Sequence, residues 1–141
     1  MKKKYFLVIL FLLLAIFLTG CSGGGIVTPA NDEAAIKNVI YDWSLALNDM
    51  NWSKAKGYCI NGSDMYYAVE QIEDLVNTLY ALCNQVTMNV VVNIQDVSIN
   101  GSYSDVYCSI LYYTTYCSYY ETDEVNGYLH LQKIGNSWKM Y

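Results

Sequence analysis

The sequence predicts an α+β fold in which N-terminal helices pack on one face of a curved antiparallel β-sheet, and two patterns support it. Between residues 36 and 83, apolar side chains recur at alternating spacings of four and three, which is typical of helices. From residue 88 onward they alternate with polar side chains, which is typical of half-buried strands. Helices followed by strands joined by short turns favour an α+β domain over an alternating α/β one.

Three helices are expected before the sheet. The first begins at Thr28-Pro29 or is capped by Asn31 or Asp32, because Pro and short polar side chains favour helix starts. A short second helix follows a cap at Asn51, and Asp64 caps a third. The apolar stripe of the first helix is Ile36, Ile40, Trp43, Leu47 and Met50. The stripe of the third is Met65, Val69, Ile72, Val76, Leu79 and Cys83.

The second half of the chain predicts an antiparallel meander. The strands are expected at 88–94, 105–120, 125–133 and 137–141. The turns are expected at Asn100-Gly101, at the acidic run 121–124 and at Gly135-Asn136. Asn-Gly is a strong hairpin signal, because both residues tolerate positive φ.

The first 20 residues have the layout of a secretory signal peptide. Three lysines at 2–4 precede an uncharged run at 5–17, and small residues then lead to Cys21. The run is too short to cross a bilayer comfortably, since a spanning helix needs about 20 apolar residues. Leu18-Thr19-Gly20-Cys21 resembles the lipobox of bacterial lipoproteins. The resemblance implies cleavage before Cys21 and attachment of acyl chains such as palmitate to that residue.

The lipobox resemblance also implies how the rest of the chain is organised. Residues 21–31, with three consecutive glycines, form a lipid-anchored flexible tether, and residues 32–141 form a single domain outside the cytoplasm. Acyl chains on Cys21 make the cell membrane or outer membrane a partner, because more than one chain gives stable anchoring. The alternatives are an ordinary signal peptide with a chance cysteine and a retained membrane helix.

The charge of the processed chain limits the classes of partner. Loss of the three leader lysines changes the formal charge from −5 to −8, with five lysines, no arginine and 13 acidic residues left. Such a domain has no positive surface for a phosphate backbone, which argues against nucleic-acid binding. It also gains nothing from anionic lipid headgroups, so the acyl chains alone would hold it at the membrane.

The cysteine count predicts two disulfides. With Cys21 acylated, four cysteines remain in an exported domain, where oxidation is favoured. The short C-x₂₋₄-C spacing of zinc sites is missing, so no metal is expected. A helix of about 30 Å separates Cys59 from Cys83, and an extended strand separates Cys108 from Cys117. The antiparallel direction of the first two strands then predicts Cys83–Cys117 and Cys59–Cys108, with a bulge between Cys108 and Cys117.

Three stretches of the chain resemble a known family. They are "LALNDMNWSKAKGYC" at 45–59, "VSINGSYSDVYCSILYY" at 97–113 and "GNSWKMY" at 135–141. They are similar to the paired helices, hairpin and closing strand of nuclear-transport-factor-like domains, which include the SnoaL-like and ketosteroid-isomerase-like proteins. The resemblance implies a cone-shaped, cystatin-like α+β fold over residues 32–141.

The same resemblance raises the question of catalysis. Ketosteroid-isomerase-like enzymes use a carboxylate base and a tyrosine or protonated acid as hydrogen-bond donor inside the cone. The candidate bases are Asp42, Asp96 and Asp105, and the candidate donors Tyr112 and Tyr113 lie near the sheet centre. With so many tyrosines, a Tyr–Asp approach is expected by chance. Catalysis is therefore the less favoured hypothesis, and no cofactor is predicted.

His130 is the only histidine of the chain, and it lies in the predicted third strand. One histidine without an identified serine, cysteine or carboxylate partner is not a catalytic triad. It also cannot build a metal site that needs several histidines. The favoured interpretation of His130 is a residue at the surface or rim of the sheet.

A cluster of tyrosines is the most distinctive feature of the predicted sheet. Tyrosine presents a large apolar area with a polar tip, which suits protein interfaces and stacking on sugars. We expect a binding face for an envelope protein or glycan, formed by Tyr112, Tyr113, Tyr116, Tyr119 and Tyr120. The alternative is that the outer rings only pack across strands.

These observations favour a lipid-anchored domain that binds a partner without transforming it. The alternative function is that of a small-molecule isomerase, dehydratase or cyclase of the SnoaL or ketosteroid-isomerase type. A purely structural component of the envelope would share the sequence features of the binding protein.

Overall fold

Three helices precede a four-stranded antiparallel sheet in a computed structural model that describes residues 30–141. The helices are α1 (Ala30–Asn48), α2 (Trp52–Gly57) and α3 (Asp64–Cys83). The strands are β1 (Val86–Asn100), β2 (Tyr103–Tyr116), β3 (Tyr119–Ile134) and β4 (Ser137–Met140). The predicted signal peptide, Cys21 and the tether up to residue 29 lie outside the described residues. Within residues 30–141, no helix is both long and apolar enough to cross a membrane.

The helix starts follow from local capping, with two corrections. Asn51 caps α2 as predicted, because its side-chain oxygen accepts a hydrogen bond from the Lys54 backbone N–H at 3.1 Å. The cap of α3 is Ser63 rather than Asp64: the Ser63 hydroxyl accepts from the Tyr66 N–H at 3.2 Å. Ser63 has the extended backbone that a cap requires, whereas Asp64 is already helical.

Of the two predicted starts of α1, a cap at Asn31 or Asp32 is wrong, because both residues lie inside the helix. The other, Thr28-Pro29, lies outside the described residues. The Asp32 side chain instead binds groups of the sheet. Its carboxylate accepts hydrogen bonds from Lys133 Nζ at 2.7 Å and from Trp138 Nε1 at 3.2 Å. Asp32 therefore ties the first turn of α1 to the end of β3 and to β4.

The strands lie in the order β1-β2-β3-β4, and each pairs antiparallel with the next. The hairpin predicted from Asn100-Gly101 is present, but its turn is shifted by one residue: Asn100 ends β1 opposite Tyr103, and Gly101 and Ser102 form the turn. Beyond β4, Ile60 N donates to Met140 O at 2.7 Å and Met140 N donates to Tyr58 O at 3.0 Å. The chain after α2 thereby covers the outer edge of β4, which would otherwise expose backbone donors and acceptors.

The turn between β2 and β3 corrects the sequence prediction. It lies at Cys117 and Ser118, whose φ angles are 45° and 66°, and the acidic run 121–124 belongs to β3. A two-residue hairpin turn with positive φ at both central residues usually has Asn or Gly at these positions. Here a disulfide between Cys83 and Cys117, with the Cα atoms 5.0 Å apart, holds the turn against the end of α3. Because Cys117 is in the turn, β2 needs no bulge; the bulge lies in β1, after Ile94.

The other predicted disulfide, Cys59–Cys108, is not formed, and both residues are buried free thiols. Cys59 lies in the segment beside β4, and Cys108 lies in β2. These positions are three strand spacings apart, or about 14 Å at about 4.8 Å per spacing. Disulfide geometry requires Cα atoms within about 7 Å. The position of Cys59 beside β4 therefore prevents this pairing.

The core lies between the helices and one face of the sheet. Four of the five residues of the predicted α1 stripe are buried, and Ile36, Ile40 and Leu47 are fully excluded from solvent. The fifth, Met50, lies beyond the end of the helix and is half-buried. On the sheet side the stripe meets a set of inward residues that is also buried: Val90, Val106, Cys108, Ile110, Leu129, Leu131 and Met140. Alternate residues of each strand share this face, so the other set points away from the helices. The predicted α+β architecture is confirmed.

Candidate functional site

The face of the sheet that points away from the helices, here called the outer face, carries rows of tyrosines. Tyr107 and Tyr128 are directly opposite each other on β2 and β3, and their ring centroids are 5.0 Å apart. Tyr113 and Tyr120 form a second pair, with centroids 6.4 Å apart. Their rings are partly exposed, up to 65% for Tyr120. The outer face therefore presents aromatic surface to solvent near its centre and near one end.

The structure divides the five tyrosines of the predicted binding face. Tyr113 and Tyr120 are on the outer face, but Tyr112 is buried on the helix side of the sheet. Tyr116 and Tyr119 are also on the helix side, with ring centroids 5.9 Å apart, and the Tyr116 hydroxyl donates to Glu121 at 2.9 Å. The five residues do not form one surface, because neighbouring residues in a strand point to opposite faces.

The central pair, Tyr107 and Tyr128, lies outside the binding face predicted from the sequence. The signal was available, since the buried positions Val106, Cys108 and Leu129 imply that the residues beside them point outward. A run of neighbouring tyrosines in the sequence drew attention to residues 112–120 instead. Pairing across strands, rather than nearness in sequence, brings Tyr107 and Tyr128 together.

Polar side chains surround the outer tyrosines. Ser109 donates a hydrogen bond to Glu124 at 2.6 Å, and Asn126 lies opposite Ser109 in the register. On β1, Asn93 extends the same row and is exposed. Among the described residues between positions 87 and 128, none that points to the outer face is a lysine or an arginine. The surface therefore combines flat apolar rings with hydrogen-bonding groups and a negative charge.

His130 and Asp105 meet at the far end of the outer face, with His130 Nδ1 and Asp105 Oδ1 2.6 Å apart. The Tyr141 ring lies 6.0 Å from the imidazole, between centroids. Partial burial, together with the neighbouring Asp105 and Tyr103, raises the pKa of the Tyr141 hydroxyl. Among the described residues, no serine or cysteine hydrogen-bonds to His130, so the pair lacks the nucleophile of a triad. His130 has a carboxylate partner, Asp105, that was not identified from the sequence.

The cone interior, on the helix side of the sheet, contains a different acid from those expected. Asp42 and Asp96 are exposed, and Asp105 lies on the outer face. Instead Asp123 lies opposite Tyr112, and its Oδ2 atom is buried without a hydrogen-bond partner within the described part of the chain. Asp123 was missed because residues 121–124 were interpreted as a turn.

Tyr112 lies directly opposite this acid in the strand register. Burial raises the pKa of Tyr112, and the nearby Cys108 and Asp123 raise it further. The phenol is therefore neutral at physiological pH and can donate a hydrogen bond. Trp43 Nε1 is a second buried donor of this core, also without a partner in residues 30–141. Across those residues, no group of three or more His, Cys, Asp or Glu side chains could hold a metal ion.

No protein-family model matches the chain, and no curated protein matches it. Several solved structures, however, match its fold. A ketosteroid isomerase-like protein from Erwinia carotovora atroseptica SCRI1043 superposes with a TM-score of 0.60 at 12% identity, over 79% of this chain and 92% of that one. An NTF-2 like protein of unknown function from Shewanella oneidensis MR-1 gives 0.55 at 11% identity, over 77% and 93%.

A further solved structure carries the name of the fold. A protein of unknown function with a cystatin-like fold, from Nostoc punctiforme PCC 73102, gives a TM-score of 0.55 at 8% identity, over 82% of this chain and 90% of that one. At such identities the likeness shows the fold alone. The chain has the NTF2-like, cystatin-like α+β fold that its sequence predicted, and its function must be argued from its own residues.

Proposed function

We propose that this chain is a lipid-anchored extracytoplasmic protein whose domain binds a neutral glycan on the outer face of its sheet. The observation that supports this most strongly is the partly exposed Tyr107–Tyr128 pair. Two rings at the centre of an uncovered sheet provide an apolar platform on which sugar rings can stack. The hydroxyl groups of the same sugar would then meet the amides and carboxylates around the pair.

The charge of the outer face indicates which kind of glycan it would bind. The groups around the tyrosine pairs include Glu124 and Asp96 and no cation among the described residues of that surface. An anionic polymer would be repelled, whereas a neutral one would not. Asn93, Asn126 and Ser109 can each donate and accept hydrogen bonds to hydroxyl groups. The proposed ligand is therefore an uncharged envelope polysaccharide.

The proposed anchor rests on the lipobox at residues 18–21. Only eight residues lie between Cys21 and Ala30, where α1 begins, and this allows a reach of at most about 30 Å. A domain held so close to the bilayer surface would meet polymers of the envelope without leaving the membrane.

Affinity electrophoresis tests the binding proposal. Migration of the native protein would be compared in gels with and without soluble neutral polysaccharides, such as glucans and galactomannans. At least one should retard the wild type. Tyr128→Ala should weaken that retardation roughly fivefold to tenfold, since one aromatic contact contributes about 0.5–1.5 kcal/mol. Tyr67→Ala is the matched control, because Tyr67 is 51% exposed but lies on α3.

Two results would contradict glycan binding. One is normal migration in every neutral polysaccharide, and the other is equal retardation of the wild type and Tyr128→Ala. If light scattering of the wild type showed a stable dimer that Tyr128→Ala dissociates, the outer face would instead bind a second copy. The anchor is tested separately: Cys21→Ser should lose acyl labelling and membrane association, and globomycin should block processing of the wild type.

A second candidate function has one observation in its favour, the buried, unpartnered Oδ2 atom of Asp123 on the strand position opposite Tyr112. A carboxylate could remove a proton next to a carbonyl group while the phenol donates a hydrogen bond to the oxygen that becomes negative. The test is conversion of a β,γ-unsaturated cyclic ketone to its conjugated isomer, followed by ultraviolet absorbance. Turnover that Asp123→Asn abolishes, and Asp105→Asn does not, would replace the binding proposal.

A further inference from the structure

A pocket of about 550 Å³ lies at the edge of the domain, away from both the tyrosine pairs and the Tyr112–Asp123 pair. The end of α2, the segment beside β4, the first turn of α3 and the β3–β4 hairpin all contribute to it. Its lining residues are Ser53, Lys56, Gly57, Cys59, Ile60, Asn61, Tyr66, Ile134 and Lys139. A pocket of this volume is large enough for a small ligand.

The charge of this pocket is opposite to that of the chain. None of the described residues that line it is acidic, although the chain has 13 acidic residues. Two of the five lysines that follow residue 21 line it, Lys56 and Lys139. An otherwise acidic surface therefore has one concave region where positive charge collects, which favours an anion.

The positions of both ammonium groups are held by the fold. Lys139 Nζ donates to the Gly57 carbonyl oxygen at 2.8 Å, and a carbonyl leaves the positive charge uncompensated. Lys56 Nζ donates to Glu73 at 2.9 Å and lies 5.8 Å from the centre of the Tyr66 ring. Each ammonium has three donors, so both keep donors for a ligand. Glu73 reduces the positive charge at Lys56, and Lys139 is therefore the stronger anion-binding group.

The remaining walls are apolar or neutral. Ile60, Tyr66 and Ile134 provide apolar surface, and Ile134 is 48% exposed although it is aliphatic. Burial raises the pKa of the Cys59 thiol to about 12, so this side chain adds no negative charge. Ser53 and Asn61 add neutral hydrogen-bonding groups. A ligand with one charged end and one apolar end matches these walls.

We propose that this pocket binds a phosphate ester, with the phosphate between Lys56 and Lys139 and the apolar part of the ligand on Ile60, Tyr66 and Ile134. Lysine binds phosphate as a point charge, and a phosphomonoester carries about −1.5 to −2 charges at neutral pH. The ester can come from a soluble phosphorylated metabolite or from a phospholipid headgroup. Both sources offer an anionic phosphate attached to an apolar group, as a monoester in the metabolite and as a singly charged diester in the lipid.

Isothermal titration calorimetry of the purified chain at low ionic strength tests the proposal. The probes are phenyl phosphate, phenol as its neutral counterpart, and dihexanoyl phosphatidylglycerol below its micelle concentration. Phenyl phosphate should bind and phenol should not. Lys139→Gln should weaken phenyl phosphate binding roughly tenfold, since a hydrogen bond to a charged group contributes about that factor. Added salt should weaken the wild-type binding as well.

Two further variants separate charge from folding. Lys139→Arg keeps the charge and should bind phenyl phosphate within about threefold of the wild type. Lys54→Gln removes an exposed lysine of α2 that does not line the pocket, and it should have almost no effect. Lys139-dependent binding of both phosphorylated probes identifies a lipid headgroup as the source, and binding of phenyl phosphate alone identifies a soluble ester. Failure of both to bind, equal binding of phenol, or unchanged binding by Lys139→Gln would overturn the proposal.

Discussion

The helix side and the outer face of the sheet are built from the same strands but differ in burial and chemistry. On β1, Val90 is 2% exposed and its neighbour Val91 is 46% exposed. On β3, Leu129 is 1% exposed and Tyr128 is 43% exposed. Since these neighbours have the same local backbone, the helical layer over one face alone makes the difference. The helix side therefore holds the fold together, while the outer face is available for binding.

The two faces also differ in how they treat polar groups. On the helix side, Asp123 keeps an oxygen and Trp43 keeps a nitrogen without a hydrogen-bond partner among the described residues. On the outer face, polar groups such as Ser109 and Glu124 bind each other and can also bind water or a ligand. Buried polar atoms without hydrogen-bond partners are unusual in folded proteins, which is why Asp123 supports a second candidate function.

The reactivity of cysteine thiols should show the largest difference between the buried helix side and the exposed outer face of the sheet. Burial raises the pKa of Cys59 to about 12 and that of Cys108 to about 11. Only the thiolate reacts, so at pH 8 we expect alkylation of both to be roughly a hundredfold or more slower than that of a cysteine placed on the outer face by Thr122→Cys. Timed iodoacetamide labelling with mass spectrometry measures the rates.

The same labelling experiment tests the free state of these thiols. In denaturant without reductant, Cys59 and Cys108 should both become alkylated, whereas Cys83 and Cys117 should react only after reduction. If Cys59 and Cys108 also required reduction, they would be joined in a disulfide, and the arrangement described for the segment beside β4 would be wrong.

The next largest effect, on the free energy of unfolding, should follow loss of the Cys83–Cys117 disulfide. Cys83 and Cys117 are 34 residues apart and join the end of α3 to the β2–β3 turn. Replacing both with alanine should lower the free energy of unfolding by about 2–4 kcal/mol, because the unfolded chain is no longer restricted by the closed loop. Urea denaturation measures the change. Reduced wild type is the control and should lose a similar amount, while a loss below about 0.5 kcal/mol would contradict the prediction.

Two valines provide a matched test of the faces. Val90→Ala should lower the free energy of unfolding by about 2 kcal/mol, since it removes two buried methyl groups and leaves a cavity. Val91→Ala makes the same change on the outer face and should cost less than about 0.5 kcal/mol. Urea denaturation of both variants gives the comparison. Equal losses would mean that the outer face is covered in the folded protein.

The smallest effect on stability is expected from a change at Asp32, whose carboxylate joins α1 to the sheet. Hydrogen bonds from Lys133 and Trp138 lower the pKa of this carboxyl group. The group is then ionised more readily in the folded state than in the unfolded one, so its stabilisation is complete above about pH 4 and is lost as the pH falls through the lowered value. Asp32→Asn should therefore be less stable at pH 7 by a fraction of the Val90→Ala effect.

A thermal melting series across pH checks this prediction. The difference in melting temperature between wild type and Asp32→Asn should shrink as the pH falls below about 4, because protonation removes the charge that the variant lacks. Glu33→Gln is a suitable control, since Glu33 pairs with Lys37 on the exposed side of α1. A difference that stayed constant down to strong acid would show that the Asp32 charge does not act in folding.

Local patterns predicted much of this fold. The apolar stripe of α1, the Asn51 cap and the Asn100-Gly101 hairpin each depend on residues a few positions apart, and all three are present. The turn at Cys117 and Ser118 escaped prediction because neither residue is a usual hairpin residue. Its disulfide partner, Cys83, is distant in sequence, so no local pattern marked the turn.

The candidate sites were less accessible from the sequence. Tyrosines were recognised as the distinctive residues, but the central pair joins Tyr107 of β2 to Tyr128 of β3 across the sheet. The pocket proposed to bind a phosphate ester combines Lys56 of α2 with Lys139 of β4, which is more than 80 positions further along the chain. Spacing along a chain specifies which face a residue takes within its own element, and it does not specify which other element that face meets.

The sequence by itself thus determined the order of helices and strands and most of the buried stripe of each. The lipid anchor at Cys21 is a prediction from the sequence. Only the tertiary structure decided that Cys59 lies beside β4, that Asp123 lies opposite Tyr112, and which rings share the outer face. The physical reason is the range of the interactions. Periodicity and capping act within a few residues, whereas strand register and helix packing bring together groups that the chain keeps far apart.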